Sequence, residues 1–216
     1  MTDGTAPPTL PGLDASYATE LLKRADALQQ EAAAVVADLD LLGHLGRHGE
    51  VVLLGSSVSG LMTWRDIDFS AYTPGIAVEG VWDLLRPYLI DDRLESFTFR
   101  SFAGRRNPTV DPTQERYYVV LHVEAVPGAI WKIDISLWLN ESKQFQAVET
   151  EELRRRLTPE TRLAILWIKD VWRTKPEYPQ VVGGVDIYRA VLDHGVRSPS
   201  EFGRYLENRE SGSRAD

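Results

Sequence analysis

Asp66 and Asp68 alternate with Ile67 and Phe69, shortly after the apolar run Val51-Val52-Leu53-Leu54 ends at Gly55-Ser56-Ser57. The run reads as a buried strand closed by a glycine turn. On a second strand, the alternation sends both carboxylates to one face and both apolar side chains to the other. Neighbouring carboxylates repel, and folding alone gives no reason to pair them. A divalent cation does.

Ile133-Asp134-Ile135-Ser136-Leu137-Trp138 repeats the frame with a third carboxylate. Three aspartates on strands offer hard oxygen ligands of the kind Mg²⁺ takes, with substrate phosphates completing the shell. A Gly-Ser turn beside them gives the backbone close access to a phosphate. Together these residues point to phosphoryl or nucleotidyl transfer.

At this point the chain resembles the polymerase β-like nucleotidyltransferase superfamily. Leu54-Gly55-Ser56, Asp66-Ile67-Asp68 and Ile133-Asp134-Ile135 match its pattern in order, and the resemblance spans roughly residues 50–140. It implies an α+β fold, a nucleotidyltransferase-type mixed sheet flanked by helices, followed by a helical C-terminal region. It further implies two Mg²⁺ ions held by Asp66, Asp68 and Asp134. Asp134 would also position or deprotonate the acceptor hydroxyl. Gly55, Ser56, Ser57 and Lys169 would contact the nucleotide, with ATP the expected NTP. The small antibiotic-adenylylating enzymes share this plan.

Composition narrows the partners. Hydrophobic residues make up 43% and charged residues 26%, ordinary for a globular chain. A formal net charge of −8 speaks against a long nucleic-acid track, though not against a local basic groove. The acceptor is therefore expected to be a small molecule with a hydroxyl. A toxin-type enzyme acting on tRNA, and a non-catalytic nucleotide- or partner-binding protein of the same fold, are the alternatives. The absence of cysteine excludes disulfides and fits a cytoplasmic protein. No apolar run is long enough to span a membrane.

Three regions are expected: a disordered proline-rich tail over residues 1–13, a catalytic domain over 14–140 and a helical region over 141–216. Leu21, Ala25, Leu28, Ala32, Val35, Leu39 and Leu42 predict one helix from about 14 to 42, stopped by Gly43. The spacing of Val78, Val81, Trp82, Leu85 and Leu89 predicts another over about 77–90. Residues 117–124 and 131–139 read as a hairpin around Pro127-Gly128. A register whose partner numbers sum to 256 sets Lys132 opposite Glu124 and His122 opposite Asp134. Thr158-Pro159 and Ser198-Pro199-Ser200-Glu201 read as helix starts. Arg100, Arg105 and Arg106 read as solvated, and Tyr178 and Tyr188 as packing residues.

Overall fold

A computed structural model describes residues 8–140, 144–179 and 181–213. The chain separates into two compact units, one of residues 28–152 and one of residues 1–27 with 153–216.

The first unit is built on a five-stranded sheet. Its strands are β1 (Glu50–Leu54), β2 (Asp66–Tyr72), β3 (Leu94–Phe102), β4 (Arg116–Val126) and β5 (Ala129–Trp138), in the order β1-β2-β5-β4-β3. β2 and β5 are parallel, and the other neighbours are antiparallel. The sheet is thus mixed, as expected. Ile67, Phe69, Val119, Leu121, Ile133, Ile135 and Leu137 are at most 2% exposed and form one apolar face. Val81, Leu84 and Leu85 of α4 (Val78–Leu89) join that core, as do Leu28, Ala32, Val35 and Val36 of α1 (Ala15–Asp38). The alternating strand partners of these residues are left on the other face. That face carries Asp66, Asp68 and Asp134.

The helix expected over 14–42 is two helices. α1 ends at Asp38, Asp40 takes a left-handed conformation (φ 47°), and α2 (Leu41–Gly46) follows. An aspartate tolerates that conformation better than most residues, so the break falls there. Gly43, the expected stop, lies inside α2.

The hairpin register also differs from the expected one. β4 and β5 pair as Val119↔Ile135, Val120↔Asp134, Leu121↔Ile133 and His122↔Lys132, two residues from the predicted alignment. The Pro127-Gly128 turn closes tightly at Val126↔Ala129, and an irregularity between Val123 and Val126 shifts the ladder again. A shift of two preserves the face of every side chain, so pattern alone could not detect it. Asp134 is opposite Val120, and His122 instead meets the Ser96 hydroxyl through Nδ1 at 3.2 Å.

The second unit contains α6 (Pro159–Trp172), α7 (Gly184–His194) and α8 (Pro199–Ser213). Thr158 caps α6, its side chain accepting from the Thr161 amide at 3.2 Å. Ser198 accepts from the Glu201 amide at the start of α8, and the Glu201 carboxylate accepts from the Arg197 amide. Leu163, Ala164, Ile165, Leu166 and Ile168 are fully buried, so α6 is the core helix its composition implies. The N-terminal half of α1 belongs to this unit. The Tyr17 hydroxyl donates to Asp170 at 2.6 Å, Arg24 pairs with Asp170 at 2.5 Å, and Arg162 pairs with Asp26 at 2.6 Å. Burial, then the Asp170 hydrogen bond, pushes the Tyr17 hydroxyl up to about 12.

Of the expected tail, residues 1–7 lie outside the described residues. Leu10 is 5% exposed, and residues 11–12 form a turn. α5 (Gln144–Arg156) was not legible in the sequence, because its apolar positions show little helical periodicity. No described helix is long and apolar enough to cross a membrane.

Candidate metal and nucleotide site

The parallel pairing of β2 with β5 builds the acidic cluster. Asp68 is the register partner of Asp134, and Asp66 is the partner of Lys132. Each of Asp66, Asp68 and Asp134 offers a carboxylate oxygen, and these oxygens lie within 4.8 Å of one another. All three side chains are partly buried. The convergence expected of the three aspartates is present.

A cation already sits among them. Lys132 Nζ donates to Asp134 Oδ2 at 2.5 Å and to Asp66 Oδ1 at 3.2 Å. Asp66 Oδ2 accepts from the Trp64 indole at 3.3 Å. Burial favours the neutral form of Lys132, but Asp66 and Asp134 outweigh it and hold the ammonium well above its usual pKa. Burial raises the Asp134 carboxyl, with Lys132 acting against the rise. Asp134 Oδ1 is buried and makes no close hydrogen bond among the described residues, though the Tyr118 hydroxyl acts on this carboxyl. Leaving a carboxylate oxygen so is costly unless something fills the position. Three carboxylates whose oxygens converge on one cation-sized position fit a divalent ion.

The glycine turn stands at the edge of this cluster. Gly55 has φ 69°, a region that L side chains rarely adopt, and a Cβ placed there would run into the Asp68 carboxylate. The backbone thus approaches Asp68 as only glycine allows. α3 (Ser56–Ser59) follows directly. Ser56 and Ser57 are both buried. The Ser57 hydroxyl donates to the Leu54 carbonyl at 2.9 Å, so this side chain closes the turn.

Lys169 belongs to the second unit. It is 2% exposed, with its ammonium 5.8 Å from the centre of the Tyr188 ring. A buried lysine over an aromatic face has a packing role available to it.

Sequence reasoning missed Lys132 as a member of the cluster, having set it against Glu124. The signal was present: Lys132 and Asp134 are two residues apart on one strand and must share a face. It also missed Tyr118, whose hydroxyl burial and the charge of Asp134 push up to about 12.

No protein-family model matches the sequence, and comparison with curated proteins finds no match. Solved structures do match. One is a cytoplasmic RNA terminal U-transferase, at 16% identity and TM-score 0.50, covering 81% of this chain and 54% of that one. The chain has the nucleotidyltransferase fold. The Cid1 poly(U) polymerase with Mg and 3′-dATP matches at 16% identity and TM-score 0.49, covering 74% of this chain and 47% of that one. Terminal uridylyl transferase 4 from Trypanosoma brucei matches at 17% identity and TM-score 0.43, over 81% and 55%. The chain spans about half the length of these proteins. The resemblance read from Gly55-Ser56, Asp66-Ile67-Asp68 and Asp134 is borne out at the level of fold.

Proposed function

We propose that this protein is a metal-dependent nucleotidyltransferase that moves a nucleoside monophosphate from an NTP to a hydroxyl acceptor. The observation that carries the proposal is the convergence of Asp66, Asp68 and Asp134 beside the Gly55 turn. In the reaction the acceptor oxygen forms a bond to the α-phosphorus, the bond between that phosphorus and the bridging oxygen to the β-phosphate breaks, and pyrophosphate leaves. The acceptor's proton must be taken up as this happens.

Asp66, Asp68 and Asp134 would hold Mg²⁺, two ions in the full reading. Bound metal neutralises the triphosphate and stabilises the attacking and leaving oxygens. The chain's own residues supply the rest. Gly55 lets the turn's backbone lie against the Asp68 carboxylate, and the amides and hydroxyls of Ser56 and Ser57 would meet the phosphate there. Asp134 would also position the acceptor hydroxyl or take up its proton. Lys132 keeps Asp66 and Asp134 together before the nucleotide arrives.

The expected donor is ATP, and the expected acceptor a small-molecule hydroxyl, in keeping with the net charge of −8. An RNA end is the second reading, favoured by the RNA terminal U-transferase that shares the fold. Incubation with each of the four NTPs, labelled at the α-phosphate, tests the proposal. Acceptors would be a small-metabolite extract and a total RNA pool. Mg²⁺-dependent transfer of label with release of pyrophosphate is the expected result. Absence of both with every NTP would favour a non-catalytic protein of this fold.

A further inference from the structure

The sheet face that carries the carboxylates continues past them. Alternation along β5 sets Ser136 and Trp138 on the same face as Asp134. Their β4 partners are Tyr118 and Arg116, and the β3 partners of those are Arg100 and Phe102. These six side chains and Gln114 line one cavity of about 260 Å³. The strand order then has a consequence. The Gly55 turn leaves β1 at one side of the carboxylates, and the cavity lies over β5, β4 and β3 at the other.

The cavity is built around a held arginine. The Arg116 guanidinium carbon is 4.8 Å from the centre of the Phe102 ring and 4.7 Å from that of Trp138. Burial lowers its pKa, so the charge is kept at a desolvation cost. Among the described residues, neither Arg116 nor Arg100 pairs with a carboxylate; Arg116 donates to the Gln114 carbonyl at 3.2 Å. Two guanidinium groups, one fixed between rings, and no acidic side chain give the cavity a positive lining. A fixed guanidinium suits phosphate, which it can bind through two parallel hydrogen bonds.

We propose that this cavity is the acceptor's phosphate subsite: Arg100 and Arg116 bind a phosphate of the molecule whose hydroxyl is presented at Asp134. The inference rests on the nucleotidyl-transfer reading of the carboxylates. The phosphate comes either from the backbone of an RNA end or from a phosphorylated small acceptor. In both cases the bound anion fixes how far the reacting hydroxyl lies from Asp134. Ser136 and Tyr118 form the cavity wall next to that carboxylate.

Calorimetric titration of the full chain in EDTA with AMP, and separately with an RNA hexamer, tests this without any metal. Arg100 is exposed, so Arg100→Gln leaves the fold intact, and Arg116→Gln is checked by its melting curve. Arg100→Gln should weaken binding by about tenfold, the size of a charge-assisted contact. Arg86→Gln, at an exposed arginine outside the cavity, should leave it unchanged. Binding of the hexamer alone supports an RNA backbone as the source, and binding of AMP supports a phosphorylated small acceptor. The subsite is overturned if the wild type binds neither ligand, or if Arg100→Gln and folded Arg116→Gln bind as the wild type does. The thermal shift with Mg²⁺ and ATP is read in parallel on the wild type and Arg100→Gln. Its absence in the wild type sinks nucleotidyl transfer and leaves the phosphate result standing.

Discussion

Lys132 and Asp134 lie two residues apart on β5, and their side chains meet at 2.5 Å on the face that also carries Asp66 and Asp68. The ammonium is a resident cation at a place where acidic groups converge. It relieves repulsion between Asp66 and Asp134 in the free protein, and a bound metal would take over that task. Lys132→Met should therefore destabilise the metal-free protein by about 1 kcal/mol, a modest figure because the lysine is 38% exposed. Mg²⁺ should shrink the deficit. Urea unfolding with and without Mg²⁺ checks this, and a deficit indifferent to the metal would show that Lys132 does not share its position.

Asp68→Asn separates binding from folding. It retains size and removes a charge facing Asp134 across the β2–β5 ladder. Stability without metal should stay within about 0.5 kcal/mol of the wild type or rise. The thermal shift produced by Mg²⁺ with ATP should vanish, since a ligand stabilises only what it binds. An unfolded Asp68→Asn protein would mark Asp68 as a structural residue.

Gly55 and Gly75 share a positive φ, 69° and 70°, but have different surroundings. A Cβ at Gly75 meets nothing within 4 Å, whereas at Gly55 it meets the Asp68 carboxylate. Both alanine variants carry the backbone penalty, about 1–3 kcal/mol. Only Gly55→Ala should also lose Mg²⁺-dependent stabilisation. Melting curves of the pair, with and without Mg²⁺ and ATP, isolate the contact.

Much of this site is legible in the sequence. The alternation of aspartates with Ile67, Phe69, Ile133 and Ile135 fixed the face of each carboxylate, because the period of a strand admits no other arrangement. What alternation cannot report is a shift by two residues, and there the expected contact between His122 and Asp134 failed. The break at Asp40 was hidden because apolar spacing runs through it unbroken from Leu39 to Leu42. The arginine cavity was hidden for another reason. Arg100 and Arg116 come together only through the β3–β4 pairing, which no local pattern specifies.

Acid stability offers a check away from the site. The Arg93 hydrogen bond holds the Asp91 carboxyl down to about 2, against its ordinary 3.8. A carboxyl depressed in the folded state stabilises above its unfolded pKa and loses that contribution as pH falls through the folded value. The loss should fall between about pH 4 and 2. Asp91→Asn should cost about 1 kcal/mol at neutral pH, after allowance for solvent screening, and only a small part of that at pH 2. Chemical denaturation of both proteins across this range measures the difference.

The central claim is that Asp66, Asp68 and Asp134 hold a divalent ion together with the triphosphate. Crystals grown with Mn²⁺ and a non-hydrolysable ATP analogue test it most directly, because Mn²⁺ can be located by its anomalous scattering. The account predicts a peak within ligand distance of all three carboxylates, triphosphate oxygens on the same ion beside the Gly55 turn, and Lys132 displaced from at least one aspartate. Nucleotide bound elsewhere, with Lys132 still bridging Asp66 and Asp134 and no peak between the carboxylates, would contradict it.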